Sequence, residues 1–315
     1  MMIEIKGDNK NLKINAISKS YKRGTVRANC DISAVLHPGQ IVAVIGHNGA
    51  GKSTLLNQII GIVKPDQGQI DYQGISFINN TKSARNLVSM MPQFHAPLSG
   101  VTLRQSVESI LHIRGISGKK NKELCKEILD ELKIDKWADR PGEKLSGGLQ
   151  RLASFAMAVI SPSPILLLDE PTNDVDPVRR KLVWNYMRKL AKNGHIVVVV
   201  THNLLEVEQY ADRFLLLNHG KLIQDELIIG EHKQISTNTL FVIMNDWGSL
   251  SNLPKSLETR YIEEEMQIIF NLSAEQVPDA IAWVLKQIHE RKVVNYRLTS
   301  ASLEASYRGL TDGNE

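Results

Sequence analysis

The stretch IVAVIGHNGAGKST, residues 41–54, sets an apolar run, three glycines, a lysine and two hydroxyls in immediate succession. Ile41–Ile45 is unbroken enough for a strand buried on both faces, and LLNQII at 55–60 has helical spacing. Between them Gly46, Gly51, Lys52 and Ser53 satisfy G-x-x-x-x-G-K-[ST] in the strand-then-helix setting that the pattern requires. Glycines let successive backbone N–H groups turn inward as a nest for an anion, with a helix N-terminus behind them. Lys52 would neutralise charge on the β- and γ-phosphates of a nucleotide, and Ser53 would hold Mg2+. His47, Asn48, Gly49, Ala50 and Thr54 complete the loop, His47 and Asn48 at its unrestricted positions. A glycine-rich turn with an incidental lysine is the competing reading, and the flanking strand and helix speak against it.

Such a loop needs a carboxylate at the end of another buried strand. ILLLDE, residues 165–170, supplies Asp169 for Mg2+, directly or through water, and then Glu170 to polarise the attacking water. Farther along DEPTNDVDP, Asp176 and Pro177 could equally open the next helix.

The rest of the chain suits a globular protein. It has 315 residues, 42% hydrophobic and 23% charged. The longest apolar runs, such as HIVVVVTH at 195–202, are too short to span a bilayer. The first residues lack a basic segment followed by an apolar one, so no secretory signal is expected. Cys30 and Cys125 are the two cysteines; neither sits in a metal-ligand pattern, and both are expected to stay reduced. Net charge is +4, with a net −5 carried from Lys221 onward by 9 basic and 14 acidic residues. The basic first part suits a phosphate ligand or an anionic membrane surface, and two differently solvated faces would look the same.

Strand-like runs recur at 12–18, 30–36, 41–45, 164–168 and 195–200, and helical patterns at 52–60, 177–192 and 203–211. That alternation predicts an α/β fold with a largely parallel sheet. About 95–160 is helical in pattern with no strand, as an inserted helical subdomain would be. After LLLNHGKLIQDE the texture changes: TLFVIM, EEEMQIIFNL and KVVNYRL look like strands, and 273–291 like an amphipathic helix opened by Ser273. A small α+β domain over 226–315 is expected, after a main domain over 1–225.

KLSGGLQR, residues 144–151, is a pattern that phosphate-loop ATPases in general lack. With the segments around it, the chain resembles the ATP-binding subunit of ABC transporters over roughly residues 10–225, with six motifs in that family's order. The resemblance implies a phosphate-loop NTPase (RecA-like) core using ATP and Mg2+. It assigns Tyr21 to stacking on adenine and residues 46–53 to the Walker A loop. Gln93, in MMPQ, becomes the glutamine that senses Mg2+ and the attacking water. Ser146, Gly147 and Gly148 become the signature that meets the γ-phosphate held by the other copy. Asp169 becomes the Walker B aspartate, Glu170 the catalytic glutamate, Asp176 the aspartate at the dimer seam, and His202 the switch histidine. Leu149 departs from the usual glutamine.

Ser146 could cap a helix starting near Gly147, whose N–H groups would then face an anion. A helical insert lying across the domain keeps that helix end off the chain's own phosphate loop; two chains arranged head to tail can bring it there. Bland readings exist for several residues. Tyr21 could be a strand-end aromatic, His202 a satisfied core histidine, and His95 a loop residue. Trp184 and Trp283 read as core.

The expected function is an ATP-hydrolysing subunit that dimerises around ATP with a second copy of itself, or a homologous ATPase subunit. It would dock on separate membrane permease subunits, peripherally at the cytoplasmic face of the cell membrane. Leu303, Glu304, Tyr307, Leu310 and Thr311 are similar to the ending of exporter ATPase subunits for drugs, lantibiotics, polysaccharides or lipids, which favours export. The core motifs do not separate importer from exporter. A soluble family member acting on ribosomes or DNA is the other class. One ATPase domain, a short insert and an acidic second part argue against it, and no nucleic acid is expected.

Overall fold

The computed structural model describes residues 10–94, 100–228, 238–245, 258–262, 266–273 and 275–299. His95 and the ending from Leu303 to Thr311 lie outside these described residues. Two compact units divide the chain, Met1–Ile228 and Ile229–Glu315.

In chain order the first unit runs β1 (Leu12–Tyr21), β2 (Val26–Leu36), β3 (Ile41–Ile45), α1 (Lys52–Ile59), β4 (Gln67–Tyr72) and β5 (Ile75–Ser76). Then come α2 (Thr81–Leu87), β6 (Val88–Met91), α3 (Leu103–Ile113), α4 (Gly118–Glu131), α5 (Gly147–Val159) and β7 (Ile165–Asp169). It ends with α6 (Pro177–Lys192), β8 (Ile196–Val200), α7 (Leu204–Tyr210), β9 (Arg213–Asn218) and β10 (Lys221–Leu227).

Six of these strands form one sheet in the order β10-β9-β3-β8-β7-β6, parallel except for β10 at the edge. Every residue of β3, β7 and β8 is buried, which is why their sequences are unbroken apolar runs rather than alternating ones. β1 and β2 stand apart from it, in an antiparallel sheet of order β2-β1-β4-β5. In β1 the register shifts between Ile14 and Ile17, with Ala16 at φ +50°, and this returns Ile17 to the buried face beside Leu12 and Ile14. That face joins one core with Leu55, Leu56 and Ile59 of α1 and Val42 and Val44 of β3.

Residues 103–159 hold α3, α4 and α5, with no strand among the described residues between β6 and β7. Thr102 and Gln105 form a reciprocal capping box that starts α3. α5 packs on α3 and also on β6 and β7, so the end of the helical stretch belongs to the sheet as well. Among the described residues no helix is long and apolar enough to cross a membrane.

The second unit holds β11 (Asn238–Met244), β12 (Glu258–Ile262), β13 (Gln267–Leu272), α8 (Val277–His289) and β14 (Val293–Thr299). Its sheet is antiparallel, ordered β12-β13-β11-β14. Leu240, Val242, Ile268, Phe270 and Leu272 form its core with Ala280 and Val284 of α8. The helix starts at Val277, four residues later than Ser273 suggested, with proline in its first turn. Gln276 reaches back instead, its Oε1 accepting the Ser273 N–H at 2.8 Å.

Candidate active site

Parallel pairing brings the C-terminal ends of four strands to one level: Val44 and Asp169 both pair with Val200, and Met91 pairs with Leu168. The loop after β3, Gln93 after β6, Asp169 and Glu170 at the end of β7, and His202 after β8 therefore hang from one sheet edge. In parallel α/β sheets that edge is where ligands bind.

Close packing shapes the phosphate loop. A Cβ on Gly51 would overlap the Ala28 carbonyl oxygen and crowd Asn29, and one on Gly46 would overlap the Leu217 carbonyl oxygen. Gly46, Gly49 and Gly51 all have positive φ, and Gly51 caps α1 without a side chain, leaving the first-turn N–H groups to the loop. Asn29, buried in β2, donates from Nδ2 to the Gly51 carbonyl at 3.2 Å and so ties the second sheet to the loop. Gly51→Ala is expected to weaken nucleotide binding at least tenfold in a fluorescence titration, because the loop backbone itself must move.

Lys52 is buried, its Nζ donating to the Gly46 and His47 carbonyls at 2.7 and 2.9 Å. Burial lowers its pKa, while the Glu170 and Asp169 carboxylates pull the other way. The Ser53 hydroxyl donates to Asp169 Oδ2 at 3.2 Å. Asp169 is buried, and burial raises its pKa against the opposing Ser53 hydrogen bond.

Glu170 has φ +53°, an αL backbone that costs a non-glycine residue about 1–3 kcal/mol and persists only where surroundings enforce it. Its N–H donates to the Val200 carbonyl at 2.9 Å, and its Oε1 stands 3.0 Å from His202 Nδ1. The carboxylate is buried while the imidazole is open to solvent. His47 is turned away from this group, its ring 4.8 Å from that of His219 and its Nδ1 bonded to the Asn48 carbonyl.

The signature residues form a second group. Ser146 caps α5, its Oγ accepting the Leu149 N–H at 3.4 Å. A Cβ on Gly148 would overlap the Asp174 carbonyl oxygen, so this glycine lets α5 lie against the segment after Glu170. Leu149 is buried, which accounts for an apolar residue there. Asp176 caps α6 by accepting the Val178 and Arg179 N–H groups, and Arg179 Nη1 donates to it at 2.7 Å. Among the described residues, no hydrogen bond joins Ser146 to the phosphate loop.

Tyr21 ends β1, part-exposed, with Lys19 Nζ 5.7 Å from its ring centre. It pairs with Val26, two residues from the Ala28 carbonyl on which Gly51 packs. The Gln93 side chain is exposed and its carbonyl accepts from Arg151 Nη1 at 2.6 Å. Asn29 and Glu206 are two buried polar residues around the site that the motifs do not contain, and Arg151, the last residue of KLSGGLQR, is buried as well. Trp184 is core, but its indole donates to Glu206 Oε2 at 2.6 Å.

The family described as ABC transporter matches residues 30–173. The cholesterol transporter ABCA5 of Mus musculus is 34% identical over 215 residues, which cover 67% of this chain and 13% of that protein. The Nod factor export ATP-binding protein I of Rhizobium sp. (strain N33) is 31% identical over 204 residues, 64% of this chain and 67% of that one. The chain thus spans a small part of the ABCA5 length and two thirds of the rhizobial protein. Among solved structures, a dimeric post-hydrolysis ATP-binding cassette bound to ADP and Pi superposes with a TM-score of 0.63 at 26% identity, over 70% of this chain and 100% of that chain. The chain belongs to the ABC transporter ATP-binding proteins, and it carries their ATPase cassette on a phosphate-loop NTPase fold.

Proposed function

We propose that the chain binds ATP with Mg2+ at its phosphate loop and hydrolyses it at a seam with a second copy, or with a homologous ATPase subunit, to drive an ABC exporter. One observation carries this reading. Glu170 is buried, held at positive φ, 3.0 Å from His202, and within electrostatic reach of Lys52.

Backbone N–H groups of Gly46–Thr54 cradle the phosphates, including those of His47, Asn48, Gly49 and Ala50, and Lys52 turns from its two carbonyls to the γ-phosphate. Tyr21 stacks on adenine. Ser53, Asp169 and Gln93 are hard oxygen donors of the kind that Mg2+ takes. Bound there, the ion neutralises phosphate charge. Glu170 takes a proton from the attacking water, while His202 orients the γ-phosphate and keeps Glu170 in place. Ser146, Gly147 and Gly148 serve the γ-phosphate of the opposite copy, with Asp176 at the seam. The dimeric cassette with ADP and Pi supports that arrangement.

Export follows from the likeness to the Nod factor export protein and from the Leu303–Thr311 ending. The chain would sit at the cytoplasmic face of the membrane on permease subunits carried by other chains. The second unit, with residues 226–315 read as one domain, would be an accessory or regulatory module. A mild-detergent pull-down of the tagged chain from membranes of its host tests this. Near-stoichiometric recovery of a multi-spanning membrane protein is expected; a chain that stays soluble, or returns with ribosomes or DNA, would end the transporter reading.

A further inference from the structure

Glu206 is a buried carboxylate in the first turn of α7, and no step above uses it. Its Oε2 accepts from Thr172 Oγ1 at 2.7 Å and from Trp184 Nε1 at 2.6 Å. Its Oε1 accepts from Asn203 Nδ2 at 2.8 Å and pairs with Arg180 Nη1 at 3.1 Å. The Glu206 N–H donates in turn to Asn203 Oδ1 at 3.2 Å. Thr172 lies two residues beyond Glu170, and Asn203 is the residue after His202. One carboxylate therefore grips the two segments whose side chains meet in the 3.0 Å contact between Glu170 and His202.

We propose that Glu206 is a positioning residue for ATP hydrolysis, a bracket that fixes the Glu170 segment against the His202 segment. The inference rests on the assignment of Glu170 as the base. It explains how an αL glutamate at φ +53° stays in place. Its backbone N–H is tied to Val200, and two residues on the chain is tied again through Thr172 to the segment after β8.

The donor inventory makes a carboxylate necessary. Indole and guanidinium groups only donate, and they stand against different oxygens of Glu206. A glutamine in either orientation turns its NH2 toward one of them, and this donor–donor repulsion, unlike the removal of a donor, pushes the side chain away from Thr172 or Asn203, so Glu206→Gln opens one side of the bracket. Thr172 and Trp184 share the same oxygen, yet only Thr172 belongs to a segment carrying a reacting residue. A purely structural carboxylate would register the loss of either donor alike; a bracket distinguishes them.

The experiment compares Glu206→Gln, Thr172→Val and Trp184→Phe in the full chain. It measures kcat, KM and ATP affinity by titration, on protein shown folded by circular dichroism. Glu206→Gln is expected to lower kcat tenfold or more with KM and affinity within about threefold of the parent. Thr172→Val should lower kcat about threefold to tenfold, and Trp184→Phe should leave it within twofold even if melting temperature falls. Parental kcat in folded Glu206→Gln, or equal kcat losses in Thr172→Val and Trp184→Phe, would overturn the proposal. Should Glu206→Gln fail to fold, the Thr172 and Trp184 pair decides alone. An inactive parent, or Glu170→Gln with parental turnover, would instead defeat the assignment on which the bracket rests.

Discussion

Glu170→Gln is expected to bind ATP as tightly as the parent and to turn it over roughly 100-fold to 10,000-fold more slowly, the range of a lost general base. The substitution keeps the side chain's length and its hydrogen bond to the His202 ring, and removes only the capacity to hold a proton taken from water. The backbone N–H to Val200 is untouched, so the αL conformation is retained. Steady-state phosphate release alongside nucleotide titration separates the two quantities. Turnover at the parental rate would show that another group takes the proton.

Lys52→Ala is expected to act on binding rather than on turnover. Lys52 is the one cation that opposes Asp169 and Glu170 from inside the loop, and burial already taxes its charge. Removing it leaves two carboxylates facing an incoming triphosphate and empties the space between the Gly46 and His47 carbonyls. Truncating one partner of a buried charge pair costs about 2–5 kcal/mol. Affinity for ATP should therefore fall by about 30-fold or more, measured by titration at fixed ionic strength. An affinity within threefold of the parent would remove Lys52 from the phosphate site.

The sequence spelled out the parts of this molecule that depend on short range. β3, β7 and β8 were legible because strands covered on both faces need every residue apolar, and the loop was legible because a nest for phosphate fixes its glycines by spacing. β4 was not, since three exposed residues open it and only Ile70 and Tyr72 are buried. The bulge at Ala16 breaks the alternation of β1, so its membership in a separate antiparallel sheet carried no clear periodic signal. Glu170, Asp169, Lys52 and His202 were brought together as expected of strand ends in one parallel sheet. Glu206 with Thr172, and Arg151 with the Gln93 carbonyl, join residues 34 and 58 positions apart. Such partners are chosen by packing, and no local pattern announces them. Leu149 looked like a departure until its burial explained it.

In the proposed cycle ATP joins two copies, each completing the other's site with Ser146. Light scattering on Glu170→Gln with saturating ATP and Mg2+ reads this joining as a change of mass. A particle of twice the 35.2 kDa chain mass is expected, returning to the single mass when nucleotide is removed or when Ser146→Arg is added. A nucleotide-saturated Glu170→Gln chain that remains at the single mass would contradict it.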